Sequence, residues 1–278
     1  MKHKIGFAMG EMEQKYTKRP EYDKIVYESR TLVPRKSLVR VHIPDRGMTL
    51  TYYNDRFDLQ CGDLVYVSGK LEGLRGYVRE VQYNFKIKVS DYEKVVAVAD
   101  TEVHGQVFMA GTHMVTFEPV TLPKEKVVRW FMAPVLEDEE LISGNDEESF
   151  QLYELKGMNV KPEIVERGVE YYRNNQVKYL SIDGINGYAI VEGRENYEVE
   201  FEFDYEKGEI RHLTCNCFCT CNCKHEVATM LQLRETLDYV VENYKARFES
   251  EGYFAAVAKD TLFQFAVDGK KEGCLNFV

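Results

Sequence analysis

Long apolar runs and a surplus of positive charge are both missing from this chain of 278 residues. The longest unbroken apolar run covers residues 253–258, far short of the ~20 residues that a membrane-spanning helix needs. Lys and Arg number 36 against 46 Asp and Glu, a net charge of −10, which excludes a uniformly basic protein that coats nucleic acid. The first residues soon become charged, so no signal peptide is expected. We therefore expect a soluble, cytoplasmic protein with no membrane contact.

The signatures of several enzyme classes are missing as well. His225-Glu226 begins like the zinc-protease motif H-E-x-x-H, but Thr229 stands where the second histidine belongs. The glycines between residues 69 and 76 are not followed by the Gly-Lys-Ser/Thr of a phosphate-binding loop. No G-x-S-x-G nucleophile turn and no H-x-E with P-C-x-x-C deaminase pattern occurs. The sequence predicts a protein that is not an enzyme.

Cysteine is present but unevenly distributed. Cys61 and Cys274 stand alone, and the other five occupy every second position from 215 to 223, just before His225. Thiols two residues apart are poorly placed to form disulfides with each other, and in a reducing compartment such a cluster indicates metal binding. Zinc prefers thiolate sulfur and imidazole nitrogen as ligands and usually binds four of them.

The spacing indicates which four residues bind the zinc ion. Cys215 and Cys217 sit two apart at the end of a predicted strand, so their side chains point to the same face. Cys223 and His225 lie where a long helix is predicted to begin, and the positive end of the helix dipole favours a thiolate at Cys223. We expect a closed Cys3His site made of Cys215, Cys217, Cys223 and His225. A closed site is structural, because no position is left for water or substrate.

Cys219 and Cys221 exceed what this site needs. They are spectators, alternative ligands or oxidisable thiols, and the sequence does not distinguish these roles. Two bridged zinc ions look too cramped for eleven residues, and an iron–sulfur cluster would need wider cysteine spacing. A set of thiols without any metal would be an oxidation liability. A single zinc ion is the interpretation that we carry forward.

Composition and pattern divide the chain into five parts. Charge changes along it: residues 1–100 carry 18 Lys and Arg against 14 Asp and Glu, whereas residues 101–210 carry 10 against 23. The expected parts are a charged extension (1–35), a β-rich domain (36–134), an acidic linker (135–158), a zinc domain (159–248) and a tail (249–278). The fold class expected is α+β.

The β-rich domain is predicted from alternating apolar and polar residues. Val81, Tyr83, Phe85, Ile87 and Val89 share one parity, which is typical of a strand with one buried face. Turns and short strands at this spacing favour a small barrel or sandwich. The stretch 62–78 weakly resembles SH3-like and KOW-like barrels, which often bind nucleic acid or peptides.

In the zinc domain the order of elements is helix, antiparallel strands, cysteine knuckle and helix. Pro162 is suited to the first turn of a helix that ends near residues 174–175. Residues 197–203 alternate apolar and acidic side chains, which predicts a strand with a buried and a solvated face. Apolar residues at helical spacing predict a long helix over 224–248.

This segment resembles the SWIM-type zinc finger over residues 160–235, about a quarter of the chain. The resemblance is carried by C-x-C followed by C-x-H leading into an apolar helix, by Arg167-Gly168, by Tyr171-Tyr172 and Val177, and by the strand 197–203. It implies zinc binding and a role in DNA binding or protein interaction, and it implies no catalytic residues.

Two roles follow as expectations. The first is a structural zinc protein associated with nucleic acid, which would contact the β-rich domain through Arg75, Arg79, Lys86 and Lys88, while the zinc domain holds a protein partner. The second is a pure protein-interaction adapter. A thiol redox sensor that uses the extra cysteines is a further alternative.

Overall fold

The structure is a computed structural model, and it describes residues 3–6, 34–118, 122–134, 149–217, 219, 221–267 and 274–277. The chain divides into two compact units, a smaller one that contains residues 34–99 and a larger one that contains residues 100–268. This division differs from the expected boundary after residue 134. The predicted extension lies almost wholly outside the described residues, as does the linker up to residue 148. Among the helices that the structure describes, none combines the length and apolar composition needed to cross a bilayer.

The smaller unit is a five-stranded antiparallel sheet. Its strands are β1 (Ser37–Ile43), β2 (Met48–Asn54), β3 (Leu64–Val67), β4 (Arg75–Gln82) and β5 (Val95–Ala99), paired in the order β2-β1-β4-β3-β5. Alternate residues of β1 and β4 turn inward, and Val39, Val41, Val65 and Val78 form a fully buried core. The alternating apolar residues Val39, Val41 and Ile43 of β1 therefore lie on the inner face of the sheet.

Two expectations for this unit need correction. The sheet is not a closed barrel, because its edge strands meet only at a single bridge between Tyr53 and Lys94. The alternating stretch after Val81 is not a strand, since β4 ends at Gln82 and residues 83–88 have no regular structure. Alternation of apolar and polar residues indicates that a segment has one apolar face. A strand also needs a neighbouring strand to accept its backbone hydrogen bonds.

The larger unit combines helices with an antiparallel sheet, so the chain is a mixed α+β protein, as the sequence predicts. Its strands are β6 (Gln106–Met109), β7 (Met114–Glu118), β8 (Ser149–Gln151), β9 (Val177–Asp183), β10 (Asn186–Glu192), β11 (Asn196–Asp204), β12 (Glu209–Cys215) and β13 (Tyr253–Ala258). Its helices are α1 (Lys124–Phe131), α2 (Pro162–Arg173), α3 (Lys224–Glu251) and α4 (Lys259–Leu262). Two further short strands, His3–Gly6 and Cys274–Phe277, lie near the chain ends.

The strands of the larger unit pair in the order β6-β7-β13-β9-β10-β11-β12-β8, with every neighbour antiparallel. Helix α3 packs across one face and buries its apolar side against Leu180, Ala189, Val199 and Phe201. The acidic residues that alternate with Val199 and Phe201 along β11 therefore lie on the opposite face.

The tail of the chain supplies a strand in the middle of this sheet. Tyr253–Ala258, the longest apolar run of the sequence, lies between β7 and β9 as β13. Residues 254–258 are all buried, which explains why this run is continuously apolar rather than alternating. The sheet that contains Cys215 therefore extends beyond residue 248, the predicted end of the zinc domain.

This placement predicts a sharp limit to C-terminal truncation. A chain that ends at residue 252 loses β13 and leaves the facing edges of β7 and β9 unpaired, so we expect it to lose cooperative thermal unfolding. A chain that ends at residue 268 keeps β13 and α4 and serves as the control. Circular dichroism during heating measures both. Equal melting temperatures for the two chains would contradict the central position of β13.

Candidate metal centre

The four residues named by the sequence converge where β12 ends and α3 begins. The ligand atoms of Cys215, Cys217, Cys223 and His225 all lie within 4.8 Å of one another. Cys215 is the last residue of β12, and Cys223 is the residue just before the first turn of α3. The side chains of the cluster thus bring the end of a β-strand close to the start of a helix.

Two sulfur–nitrogen separations in the cluster match those of a tetrahedral zinc site. The Nδ1 atom of His225 is 3.6 Å from the Sγ of Cys215 and 3.6 Å from the Sγ of Cys223. Sulfur at about 2.3 Å and nitrogen at about 2.05 Å from one ion, on tetrahedral directions, are about 3.6 Å apart. The three sulfurs and one imidazole nitrogen are also the donor set that zinc prefers. The residues present therefore fit a single metal ion.

Cys223 caps the N-terminus of α3. Its Sγ accepts a hydrogen bond from the backbone N–H of Glu226, and the Glu226 carboxylate accepts one of 2.6 Å from the backbone N–H of Cys223. These reciprocal bonds satisfy two helix N–H groups that would otherwise have no partner. Burial raises the pKa of Glu226 to about 7. The cap fixes the direction in which the Cys223 sulfur points.

His225 is held by aromatic rings as well as by the contacts of its Nδ1 atom with the sulfurs of Cys215 and Cys223. Its imidazole stacks on Tyr197 at a centroid distance of 4.1 Å and meets the edge of Tyr171 at 5.4 Å. Its Nε2 atom is buried and has no hydrogen-bond partner among the described residues. Burial first, and then the charges of Lys224 and Arg167, lower the pKa of His225 to about 4. The imidazole is therefore neutral near pH 7, the form in which it binds a metal.

Cys217 and Cys223 are disfavoured as free thiolates in this arrangement. Burial raises the pKa of Cys217 to about 12. The pKa of Cys223 is raised further, first by its hydrogen bond with Cys215 and then by burial. A divalent cation reverses this balance, because its positive charge stabilises adjacent thiolates. The thiolate forms of these cysteines therefore need a bound cation.

Helix α2 supports the site from the side of α3. Gly168 is buried where the helices meet, and a Cβ built there would lie 2.5 Å from the side chain of Val227. The absence of a side chain lets α2 approach the first turn of α3. That approach places Tyr171 beside His225 and beneath the ammonium group of Lys224, which is 4.3 Å from the Tyr171 ring centroid.

The loop between the two ligand pairs is anchored at both ends. The Asn216 side chain accepts a hydrogen bond of 3.0 Å from the backbone N–H of Glu198 on β11, and the Asn222 side chain donates one of 2.6 Å to the carbonyl of Met158. Cys219 and Cys221 lie between these anchors, are exposed, and are not in the four-atom cluster.

Sequence reasoning named the four cluster residues but missed their aromatic support. Tyr197 was assigned to the buried parity of a strand, whereas its ring stacks on the histidine. The proximity of Tyr197 and Tyr171 depends on pairing and helix packing, which local periodicity does not encode. The other residues of interest, Arg75, Arg79, Lys86 and Lys88, belong to the smaller unit.

Comparison with protein-family models, with curated proteins and with solved structures gave no match to this chain. The resemblance to the SWIM-type zinc finger therefore rests on the sequence motif and stays a prediction.

Gly168→Ala tests the packing that supports the site. Alanine gains helix propensity worth about 1 kcal/mol over glycine, but its methyl group overlaps Val227, and such overpacking costs about 1–3 kcal/mol. We expect a net loss of about 1 kcal/mol in the free energy of unfolding, measured by urea denaturation. Glu166→Ala, on the exposed side of the same helix, is the control. A more stable Gly168→Ala chain would show that α2 and α3 are not in close contact here.

Proposed function

We propose that the chain binds one structural zinc ion through Cys215, Cys217, Cys223 and His225. The observation that supports this most strongly is the four-atom cluster, in which the Nδ1 atom of His225 lies 3.6 Å from two of the sulfurs, the separation expected around a tetrahedral ion. Four protein ligands fill the coordination sphere, so the ion is structural and not catalytic. The proposal includes the absence of enzymatic activity.

The role of the ion is to fasten β12 to the start of α3. Cys215 ends β12 and Cys217 follows two residues later, whereas Cys223 and His225 lie at the start of α3, so the ion would join the strand end to the helix start. Zinc binding by three thiolates contributes free energy to folding, because the unfolded chain does not hold the site together. Removal of zinc is therefore expected to loosen the packing of α3 on the sheet.

Measurement of the metal content tests this proposal directly. Elemental analysis of the purified chain should find one zinc per molecule, and Cys223→Ser combined with His225→Ala should abolish it. The matched control is Cys221→Ser, which removes an exposed thiol of the same loop that is outside the cluster. One zinc should remain in that control.

Other outcomes have distinct meanings. Iron in place of zinc, or no metal, contradicts the proposal. Loss of zinc in Cys221→Ser places that cysteine among the ligands and contradicts the set of four. Retention of zinc in the double variant would show that the ion is bound elsewhere.

For the broader role, we propose that the smaller unit contacts nucleic acid. Residues 34–99 carry 11 Lys and Arg against 8 Asp and Glu, a positive balance within an acidic chain. Arg79, Lys86 and Lys88 are exposed and form no salt bridge with the residues that the structure describes. Cations that are not neutralised by carboxylates are free to contact phosphates. Arg75 lies on the same strand as Arg79 and is included in the proposed surface.

The alternative is a protein-interaction adapter that binds no nucleic acid. A thiol redox sensor is a second alternative, which is favoured by the exposure of Cys219 and Cys221 next to the cluster. In either alternative the zinc ion keeps the same structural role.

Charge reversal distinguishes nucleic-acid binding from the adapter role. Changing Arg75, Arg79, Lys86 and Lys88 to Glu should weaken binding of a labelled DNA duplex at least tenfold. It should also reduce the slope of log affinity against log salt by up to about 0.9 for each phosphate that the protein no longer neutralises. Fluorescence anisotropy at several salt concentrations measures both.

The matched control reverses four exposed cations of the larger unit: Lys156, Lys161, Arg173 and Arg194. The control should bind DNA as the unmodified chain does. Unchanged affinity in the first variant, or an equal loss in both, would contradict the proposed surface and favour the adapter.

A further inference from the structure

A cleft of about 430 Å³ opens on the face of the large sheet opposite α3. Strands β9 to β12 form its floor, and the start of α1 and Tyr253 of β13 form its wall. Its volume lies within the range of about 300–1,000 Å³ that is usual for ligand pockets. The cleft is on the face away from the side on which α3 packs, and none of its lining residues belongs to the cysteine cluster.

The lining is rich in carboxylates. Glu125, Asp183, Glu200 and Glu202 line the cleft, and the basic side chains are Lys124 and His212. Glu125 and Asp183 form no salt bridge with any residue that the structure describes. Excess negative charge at a concave surface attracts a cationic group. A metal ion is not the occupant that the geometry favours, since the only metal-type cluster among the described residues is the cysteine–histidine one.

Lys124 shows how the cleft receives a cation. Its ammonium group lies 2.9 Å from the Glu200 carboxylate and 3.8 Å from the centroid of the Tyr188 ring. Carboxylate and aromatic face together hold a cation by charge and by the cation–π interaction. The pair is open to solvent, with 40% of the Lys124 side chain and 62% of the Glu200 side chain exposed. Such an exposed pair contributes little to stability and can be exchanged for another cation.

The aromatic element of the cleft is rigid. The Tyr188 hydroxyl donates a hydrogen bond of 2.6 Å to Glu198, and its ring packs edge to face with Tyr179 at 6.2 Å. Tyr188 is 3% exposed, so the ring does not need to be ordered when a ligand arrives. Preorganisation of this kind lowers the entropy cost of binding.

His212, which also lines the cleft, has an unusual backbone conformation. It sits in a bulge between β11 and β12 with a φ of 51°, in the left-handed region that residues other than glycine rarely adopt. Its Nε2 atom is 3.7 Å from Glu202, and its buried Nδ1 atom has no partner among the described residues. Bulges and strained residues are frequent at binding sites, where they direct a side chain.

The carboxylates of β11 are spaced at the same interval as the side chains on one face of an extended peptide. Glu198, Glu200 and Glu202 occupy alternate positions, so they share one face at intervals of about 6.8 Å. A partner segment in extended conformation presents every second side chain at the same interval.

We propose that this cleft binds an arginine-bearing extended segment of a protein partner, whose guanidinium groups pair with Glu200 and Glu202 and stack on Tyr188. The proposal rests on the expectation, stated for the sequence, that the zinc domain holds a protein partner, and it names the chemistry of that partner. Lys124 then acts as an internal competitor that the partner displaces. Arginine suits the site because its planar group both pairs with carboxylates and stacks on aromatic rings.

The test uses the full chain and a short fluorescein-labelled peptide of alternating arginine and serine, with binding followed by anisotropy. Glu200→Gln with Glu202→Gln should raise the Kd at least tenfold. Lys124→Gln should lower the Kd several-fold, because it removes the competing cation. A purely structural role of Lys124 would not produce tighter binding.

Two controls match the changes in charge. Glu166→Gln with Glu170→Gln removes two exposed carboxylates from α2, and Lys161→Gln removes one exposed cation just before α2. Both should leave the Kd within about twofold of the unmodified chain, as surface charges remote from a site affect affinity little at physiological salt. A peptide with citrulline in place of arginine should not bind.

Several results would overturn the proposal. They are failure of the arginine peptide to bind, equal weakening by the α2 control, or weaker binding by Lys124→Gln. Binding of spermidine but not of the peptide would assign the cleft to a free polyamine instead. Zinc content measured on the same samples separates this outcome from failure of the zinc proposal, because the cleft and the cluster share no residue.

Discussion

Three thiols and one imidazole lie within 4.8 Å of one another at the start of α3, and much of the larger unit is arranged around this constraint. Without a cation Cys217 and Cys223 stay protonated, because burial raises the pKa of Cys217, and the hydrogen bond with Cys215 and then burial raise that of Cys223. The imidazole cannot supply the positive charge, since burial lowers the pKa of His225 to about 4. The negative charge of thiolates in this cluster would therefore be balanced only by a bound cation. That ion would join the end of a strand to the start of the helix that covers the sheet.

The surroundings of the cluster hold its ligands in place from three directions. The cap formed with Glu226 directs Cys223, the stack with Tyr197 directs His225, and the glycine at 168 lets α2 close over both. Each contact comes from a different element of the chain. The cluster is thus a point at which the sheet, α2 and α3 meet, and any element that shifts would change the separation of the donors.

Local pattern in the sequence identified much of this arrangement. The alternation along residues 197–203 predicted β11, and the helical spacing after residue 224 predicted α3. Pro162 predicted the start of α2. Paired cysteines two residues apart gave the cluster, because that spacing already fixes which side chains share a face. These features depend on neighbours within a few residues, and the physical rules that govern them are local.

The features that the sequence did not identify depend on distant partners. Residues 83–88 alternate as a strand does, but they pair with no strand among the described residues. Residues 253–258 have no alternation, yet they form a strand because β7 and β9 leave a space between them. Residues 100–118 and α1 belong to the larger unit. Trp130 helps to hold α1 there, since it is fully buried and donates a hydrogen bond to the carbonyl of Asp100.

The two faces of the large sheet show how one alternating strand serves two purposes. The inward parity of β11, Val199, Phe201 and Phe203, packs in the core beneath α3. The outward parity is acidic and would repel the phosphates of a nucleic acid, so this face is unsuited to DNA and suited to a cationic protein segment. A charged outer face adds nothing to the core, and neutral polar residues would keep it soluble equally well. The carboxylates around the Tyr188 ring on that face are the groups that the proposed cationic partner would contact.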